Sequence, residues 1–186
     1  MKHLVLVPAF ALSLTAAAPS FASVCPAAPN NVEALNRHLS ALQQAENEMS
    51  ARQITNEMWE LWDDAPDEQA QAVLDRGMRM RAQWDLLNAV DEFDRLIAYC
   101  PEYAEGYNQR AFANFLMQNF TEALVDLDRA IELSPAHIGA IVGRAMTLIA
   151  LGREEEAQAD LRRAVGLNPW LPERGLLQSE KPAKEL

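Results

Sequence analysis

The sequence predicts an all-α fold in which helix pairs stack into one array. Pro101, Pro135 and Pro169 lie 34 residues apart, and each closes one copy of the same pattern. Every copy also has a small residue 24 positions, and an alanine 12 positions, before its proline. These residues are Gly77, Ala111 and Ala145 in the first set and Ala89, Ala123 and Ala157 in the second. A fixed period between about 20 and 50 residues is typical of stacked helical repeats, so it indicates the fold class.

The first segment, residues 1–22, is predicted to be a secretory signal peptide. Lys2 precedes an apolar run over 4–14, and small residues lead to a predicted cleavage between Ala22 and Ser23. That run is shorter than the roughly 20 apolar residues of a membrane span, and no later stretch approaches that length. We therefore expect a protein exported to a bacterial periplasm, with secretion as the alternative, and no membrane span.

The charge of the chain disfavours some classes of partner. The full chain carries a net charge of −11 at neutral pH, and loss of the signal removes one lysine and no acid, which makes the mature charge −12. A strongly acidic chain repels nucleic acid and anionic lipid, so neither is expected as a partner. A basic partner would be favoured, although a solvated acidic surface alone also explains this charge.

An extended segment, 23–29, and a helical hairpin, 30–69, are predicted before the repeats. Asn31 offers an N-cap for the first helix, and Pro66 ends the second because the residue before a proline avoids the helical region. Apolar residues follow at helical spacing in the two helices: Val32, Leu35, Leu39 and Leu42, then Ile54, Met58 and Leu61. Because the hairpin lies about one repeat length before the first clear copy, we interpret it as a degenerate repeat that caps the array.

Three copies of the repeat follow the hairpin: 70–103, 104–137 and 138–171. Each contains a first helix, a turn and a second helix that ends near its proline. The small residues of the two helices are expected to face one another, since larger side chains would overpack the contact. Residues 172–186 are predicted to form a short C-terminal cap and a tail. Only Leu176 and Leu177 are available to cover the last repeat, so this thinly capped end is a candidate surface for oligomerisation or docking.

The repeats resemble the tetratricopeptide repeat. That family has a tyrosine and a small residue in the first helix, and an alanine, an aromatic residue and a proline in the second. The middle copy matches with Tyr107, Ala111, Phe120, Ala123, Ala130 and Pro135, and the last copy with Ala145, Leu148, Gly152, Ala157, Ala164 and Pro169. The resemblance implies a right-handed superhelix of antiparallel helix pairs, with the first helices lining a concave groove.

The resemblance also implies where a partner would bind. The inner positions of the first helices form a mostly apolar set: Leu74, Met78, Arg81, Asn108, Phe112, Phe115, Val142, Met146 and Ile149. Methionines adapt their shape and aromatic residues anchor contacts, so a helix or an extended segment of another protein could lie there. The alternative is that several of these side chains pack against the N-terminal hairpin or against each other.

Some members of the family hold C-terminal carboxylates in a clamp of lysine, asparagine and arginine on these helices. Leu74, Met78, Gly143 and Thr147 occupy that neighbourhood in this chain. No such clamp is therefore predicted.

One departure from the family pattern recurs in every copy. An arginine replaces the usual leucine before the small residue, and the second helices carry acids at matching positions. The arginines are Arg76, Arg110 and Arg144, and the acids are Glu92, Asp126, Asp128 and Asp160. Packed antiparallel helices would bring each arginine near the acid of its own repeat, so we interpret the set as structural ion pairs. A ladder of arginines that binds phosphate or carboxylate is the alternative.

The two cysteines of the mature chain, Cys25 and Cys100, form a candidate disulfide. An even number of cysteines in an exported chain favours pairing. The segment between Cys25 and the first helix reaches about 30 Å when extended, which is enough to meet the turn that holds Cys100. Free thiols or a bridge between two chains are the alternatives.

No catalytic pattern is present in the sequence. There is no glycine-rich phosphate loop, no set of cysteines and histidines with metal-ligand spacing and no nucleophile elbow. His38 and His137 are expected to be solvated. We therefore expect no enzyme activity, no metal site and no cofactor.

The sequence thus predicts an exported scaffold or chaperone-like adaptor that binds a peptide or partner segment in its concave groove. The alternative is a structural or assembly subunit that forms a homo-oligomer, or docks on a complex, through its thinly capped C-terminal end.

Overall fold

The computed structural model describes residues 24–178, and it confirms the predicted all-α array of helix pairs. The predicted signal peptide, its cleavage site and residues 179–186 of the tail lie outside the described residues. The helices are α1 (Val32–Gln43), α2 (Glu48–Trp62), α3 (Glu68–Ala82), α4 (Leu86–Tyr99), α5 (Ala104–Leu116), α6 (Phe120–Leu133), α7 (Ile138–Ala150) and α8 (Glu154–Leu167). A short 3-10 helix, Pro172–Leu176, follows α8. Within 24–178, no helix combines the length and the apolar character that crossing a membrane requires.

Helices α3 to α8 form three pairs that stack in chain order. In each pair the two helices pack together, and each second helix also packs against the first helix of the next pair. Ala111 and Ala145 are fully buried at the contacts, and a Cβ atom at Gly77 would overlap the ring of Phe93 from α4. The recurring small residues therefore set the close approach of the helices, and a larger side chain would cost about 1–3 kcal/mol.

The turn inside each pair ends its first helix in the same way. Trp84, Gln118 and Gly152 have φ angles of 62°, 65° and 73°. The residue after each of them donates its N–H to a carbonyl of the preceding helix, at 2.9, 2.9 and 2.8 Å. A left-handed residue at this point satisfies carbonyls that the helix end leaves free. Only the third copy has the glycine that adopts this conformation without a steric penalty.

The N-terminal hairpin crosses the turns that connect successive repeats. We call its two helices, residues 32–62, the strap. The hydroxyl of Tyr103 in the first turn donates to the carbonyl oxygen of Trp62 at 2.8 Å. The Trp62 ring stacks on His137 in the second turn, with ring centroids 4.3 Å apart. Leu171, in the turn after the last repeat, packs against the strap core. Because Tyr103, His137 and Leu171 lie 34 residues apart, the strap meets the same position of each copy.

The apolar side of the strap is buried mainly against the last repeat. Its core combines residues of the strap with residues around α7 and α8: Leu42, Ala51, Met58, Trp62, Ile138, Leu167, Trp170 and Leu171. At the tip, the Gln43 side-chain amide donates to the carbonyls of Gly166 and Leu167, both at 3.0 Å. No described residue between 68 and 99 belongs to this core. The hairpin therefore does not cap the start of the array as the sequence predicted. Its leucines and tryptophans pack instead against apolar residues of the last repeat.

The C-terminal end of the array is covered from two sides. The 3-10 helix packs on α8, where the Gln158 side chain donates to the carbonyl of Leu176 at 3.0 Å and accepts from the N–H of Gln178 at 2.9 Å. The tip of the strap covers Leu167 and Trp170 from the other side. More residues cover this end than the two leucines expected from the sequence. The hypothesis of assembly through this end was based on a thin cap, which is not observed.

Cys25 and Cys100 form a disulfide, with Sγ atoms 1.99 Å apart and Cα atoms 5.2 Å apart. Cys100 is buried in the core of the first repeat, and Cys25 packs against the same core. The bond joins residues separated by 75 positions and so encloses the whole strap. A bridge that closes so long a loop stabilises the folded chain by about 2–4 kcal/mol, mainly because it restricts the unfolded chain.

The three recurring arginines form ion pairs with the second helices of their own repeats. The pairs are Arg76–Glu92 at 3.1 Å, Arg110–Asp126 at 2.6 Å and Arg144–Asp160 at 2.7 Å. Hydrogen bonds to Asp126 and Asp160 raise the pKa of Arg110 and of Arg144 above the ordinary arginine value, against the effect of burial. The guanidinium groups are thus occupied inside the protein, which favours structural pairs over a free anion-binding ladder.

Two of these arginines also join neighbouring repeats. Arg110 contacts Asp94 of the preceding second helix at 2.5 Å, and Arg144 contacts Asp128 at 2.8 Å. The sequence interpretation assigned Asp128 to its own repeat and did not include Asp94. The correction follows from the packing, because α5 lies between α4 and α6, α7 lies between α6 and α8, and the arginine of each of these first helices reaches both neighbours. We call this set of ion pairs the arginine ladder. It consists of Arg76, Arg110 and Arg144 with the acids that they contact, Glu92, Asp94, Asp126, Asp128 and Asp160.

Candidate functional site

A cavity of about 590 Å³ opens between the first helices of the repeats and the strap. Helices α3, α5 and α7 line one side, and α2 lines the other. Residues that follow α8, Leu171 to Glu173, contribute to one end. The predicted concave groove is therefore present, but the strap lies over it, and α2 forms one wall of the resulting cavity.

Most of the predicted groove residues reach this cavity. It is lined by Met78, Arg81, Asn108, Phe112, Phe115, Val142 and Met146. Leu74 is instead fully buried in the core of the first repeat, and Ile149 is not part of the lining. Val142 also packs against the strap core, so the alternative interpretation holds for part of the set.

The strap supplies lining residues that the sequence interpretation did not include. Thr55, Trp59 and Trp62 come from α2, and Asp63 follows it. These three helical residues stand at positions i, i+4 and i+7, which place them on one face of α2, beside the predicted apolar face. This spacing in the sequence could have indicated that α2 buries a second face.

The floor of the cavity is apolar and partly open to solvent. Phe112 has 45% of its surface exposed, and the Arg81 guanidinium carbon lies 4.3 Å from the centre of its ring. Phe115 lies beside it and makes an edge contact with Phe120, with centroids 5.4 Å apart. Met146 completes this floor from α7. Exposed aromatic surface beside a flexible methionine is typical of a surface that binds another chain.

A buried carboxylate organises the polar end of the cavity. Glu105 accepts hydrogen bonds from the Asn108 side chain at 3.1 Å, from the Gln109 side chain at 2.5 Å and from His137 Nε2 at 2.7 Å. Asn108 and Gln109 also line the cavity. Asn108 and Gln109 are therefore held in place at the cavity by their hydrogen bonds to Glu105.

His137 connects the strap to this carboxylate. Its Nδ1 accepts from the Ala140 N–H at 3.2 Å, so Nε2 carries the proton and donates to Glu105. The expected solvated position of His137 is wrong, because Trp62 of the strap stacks on the ring and buries it completely. His38 is half-buried, with Nδ1 3.5 Å from a carboxylate oxygen of Glu57.

Asp63, just after the strap, titrates near neutral pH. Burial raises the pKa of Asp63 from 3.8 to about 7, with a further contribution from the negative charge of Glu105 and a hydrogen bond to it. Burial lowers the pKa of Arg81, and the charges of Glu105 and Asp63 work in the opposite direction. The guanidinium of Arg81 lines the same cavity, so a positive charge lies near these acids.

The sequence model of the tetratricopeptide repeat family matches residues 104–137 and 138–169. Among curated protein sequences, none matches this chain.

Several solved structures are similar to the chain in fold and in sequence. The first tetratricopeptide domain of Spaghetti (RPAP3), bound to the HSP90 peptide SRMEEVD, gives a TM-score of 0.57 at 26% identity, covering 59% of this chain and 88% of that one. The TPR2B domain of yeast Sti1, in a complex with pHsp70, gives 0.53 at 30% identity, covering 54% and 81%. The second such domain of human RPAP3, in complex with the HSP70 peptide SGPTIEEVD, gives 0.56 at 27% identity, covering 58% and 90%.

Proposed function

Because the chain belongs to the tetratricopeptide repeat family, we propose that it is a non-enzymatic interaction module whose cavity binds a segment of a partner protein. The observation that carries this proposal is the cavity between the repeats and the strap. Its volume of about 590 Å³ lies within the roughly 300–1,000 Å³ of common ligand sites. Its lining is mostly apolar with a few placed polar groups, as such sites usually are.

The exposed part of Phe112 supports this assignment. An aromatic ring with 45% of its surface exposed gains from burial against a partner, and aromatic residues are enriched among those that dominate binding energy. Several similar domains are described as complexes with HSP90 or HSP70 peptides, which supports a peptide as the class of ligand. Binding without catalysis suits a scaffold or a chaperone-like adaptor.

We place this activity outside the cytoplasm, in a bacterial periplasm or in the secreted fraction. The Cys25–Cys100 disulfide supports an oxidising compartment, and the first 22 residues have the pattern of a secretory signal. N-terminal sequencing of the protein from a periplasmic fraction tests this, with Ser23 expected as the first residue. Recovery of the uncleaved chain from the cytoplasm would contradict it.

The binding proposal is tested with a displayed library of random decapeptides selected on the mature chain. We expect enriched peptides whose affinity falls at least about tenfold in Phe112→Ser, because a central aromatic anchor is removed. The affinity is measured by isothermal titration calorimetry.

Leu87→Ser is the matched control for this experiment. Leu87 has 73% of its surface exposed and does not line the cavity, so the variant removes an exposed apolar side chain elsewhere. Circular dichroism should report an unchanged helix content for both variants. Absence of any enriched peptide, or equal losses in the two variants, would rule out the cavity as the binding site.

A further inference from the structure

Four buried polar atoms in residues 24–178 have no hydrogen-bond partner within the protein, and all four belong to residues that line the cavity. They are Trp62 Nε1, Asp63 Oδ1, Arg81 Nε and Gln109 Oε1. Buried polar atoms in folded proteins are almost always paired, so an unpaired one calls for an explanation. Their concentration at one cavity indicates a ligand that pairs with them.

The unpaired atoms define what that ligand must present. Trp62 and Arg81 offer N–H donors, whereas Gln109 offers a carbonyl oxygen and Asp63 a carboxyl oxygen. A group that satisfies them needs both an acceptor and a donor. A carboxylate ion is an acceptor alone, and an ammonium group is a donor alone.

Two of these side chains are held in place by contacts within the protein. The Gln109 side-chain nitrogen donates to Glu105 at 2.5 Å, which turns the amide oxygen away from that carboxylate. The Trp62 ring is stacked on His137, with centroids 4.3 Å apart. Both residues are more than nine-tenths buried. Donor and acceptor are thus fixed before a ligand arrives, which reduces the entropy lost on binding.

The charge around the four atoms favours an uncharged group. A ligand carboxylate would approach Asp63 and the buried Glu105, and a ligand ammonium would approach Arg81. A neutral dipolar group meets neither repulsion.

We propose that the cavity binds the side-chain amide of an asparagine or glutamine of its peptide ligand, next to an apolar residue that packs on Phe112. A side-chain amide accepts two hydrogen bonds at its oxygen and donates two from its NH₂ group. This set complements the two donors of Trp62 and Arg81 and the two acceptors of Gln109 and Asp63. This inference rests on the proposed function, and it narrows the ligand to an internal, uncharged segment of the partner. The acidic peptides named with the similar domains, SRMEEVD and SGPTIEEVD, belong to a different class.

The test starts from the decapeptide selection described above. We expect enriched peptides with apolar residues beside an asparagine or a glutamine, and we expect SRMEEVD and SGPTIEEVD not to compete with them. The best selected peptide then serves as the probe for two variants, Trp62→Phe and Arg81→Met. Trp62→Phe keeps the ring that stacks on His137 and removes the N–H. We expect it to weaken binding on the order of five- to tenfold, as loss of one buried hydrogen bond does. The melting temperature of the free protein should fall as well, because the smaller ring leaves a void in the strap core.

Trp84→Phe is the matched control, because Trp84 is exposed and lies outside the cavity. Enrichment of peptides that depend on a terminal carboxylate would overturn this inference and leave the proposed function intact. Unchanged affinity in Trp62→Phe would also overturn it, since the Trp62 N–H would then make no contact with the ligand. Failure of the library to yield any binder would instead reject the proposed function.

Discussion

The arginine ladder and the strap both connect the three repeats, but the ladder repeats one kind of contact and the strap makes a different contact at each repeat. In the ladder the same ion pair recurs every 34 residues, and Arg110 and Arg144 reach equivalent acids on both sides. The strap also meets equivalent positions, Tyr103, His137 and Leu171, but with a hydrogen bond, a ring stack and apolar packing in turn. Contacts that repeat hold the array together, whereas contacts that occur once shape the cavity.

This difference separates the features of the fold from the features of this particular protein. Ladder contacts follow from the stacking of repeats, so any array with these residues would form them. Strap contacts place Trp62 and Asp63 at the polar end of the cavity, which no repeat could supply. If the cavity binds a peptide as proposed, the residues that select it therefore come in part from the aperiodic part of the chain.

The largest expected effect is on the ladder. Arg110→Ala leaves Asp126, whose side chain is 5% exposed, without its main cationic partner, and it also removes the contact with Asp94. Breaking a buried pair in this way costs about 3–5 kcal/mol, because a buried charge stays uncompensated. Urea denaturation should show this loss in the free energy of unfolding.

Arg76→Ala is the matched control within the same ladder. Arg76 has a side chain that is 43% exposed, and its acid Glu92 keeps a second partner in Arg95 at 2.6 Å. The expected cost is about 1 kcal/mol or less, as for surface ion pairs. Equal costs for the two variants would mean that the bridging position of Arg110 contributes nothing.

The next effect concerns the strap. Replacing both cysteines, Cys25→Ser with Cys100→Ser, removes the bond that encloses the strap and should lower the free energy of unfolding by about 2–4 kcal/mol. The tryptophan fluorescence of Trp59 and Trp62 should lose protection from quenching by acrylamide if the strap also loosens. The wild-type protein under reducing conditions should match the variant. A variant as stable as the oxidised wild type would show that the strap needs no covalent anchor.

The parts of the structure that repeat were open to prediction, and the strap contacts were not. Each repeat position is supported by residues 34 positions away, so the helix pairs, Arg110 with Asp126, and the inner side of Phe112 and Met146 follow from one pattern. The stacking of Trp62 on His137 joins distant positions that share no period, and nothing in the sequence marks them as neighbours. Asp128 was assigned to the wrong arginine because stacked helices place acids on both sides of each ladder position.

The smallest expected effect is a dependence of stability on pH at the junction of strap and array. The pKa of Asp63 is about 7 in the folded chain and 3.8 as a free group. Because the folded state binds this proton more tightly, the contribution of Asp63 to stability is fully present below about pH 3.8 and is lost as the pH rises through about 7. The groups that face it are Glu105, His137, Asp75, Arg81 and Tyr103.

Asp63→Asn isolates this contribution, because the amide keeps the shape of the carboxyl group and does not titrate. The melting temperature of the wild type relative to this variant should fall by about 2–4 °C between pH 5 and pH 8, a modest shift because the carboxyl group keeps some exposure to solvent. Asp64→Asn makes the same change of charge at an exposed neighbour and should follow the wild type. Differential scanning calorimetry of the three proteins decides the matter. Parallel curves for the wild type and Asp63→Asn would mean that folding does not raise the pKa of Asp63, and that the ladder and the strap differ in geometry alone.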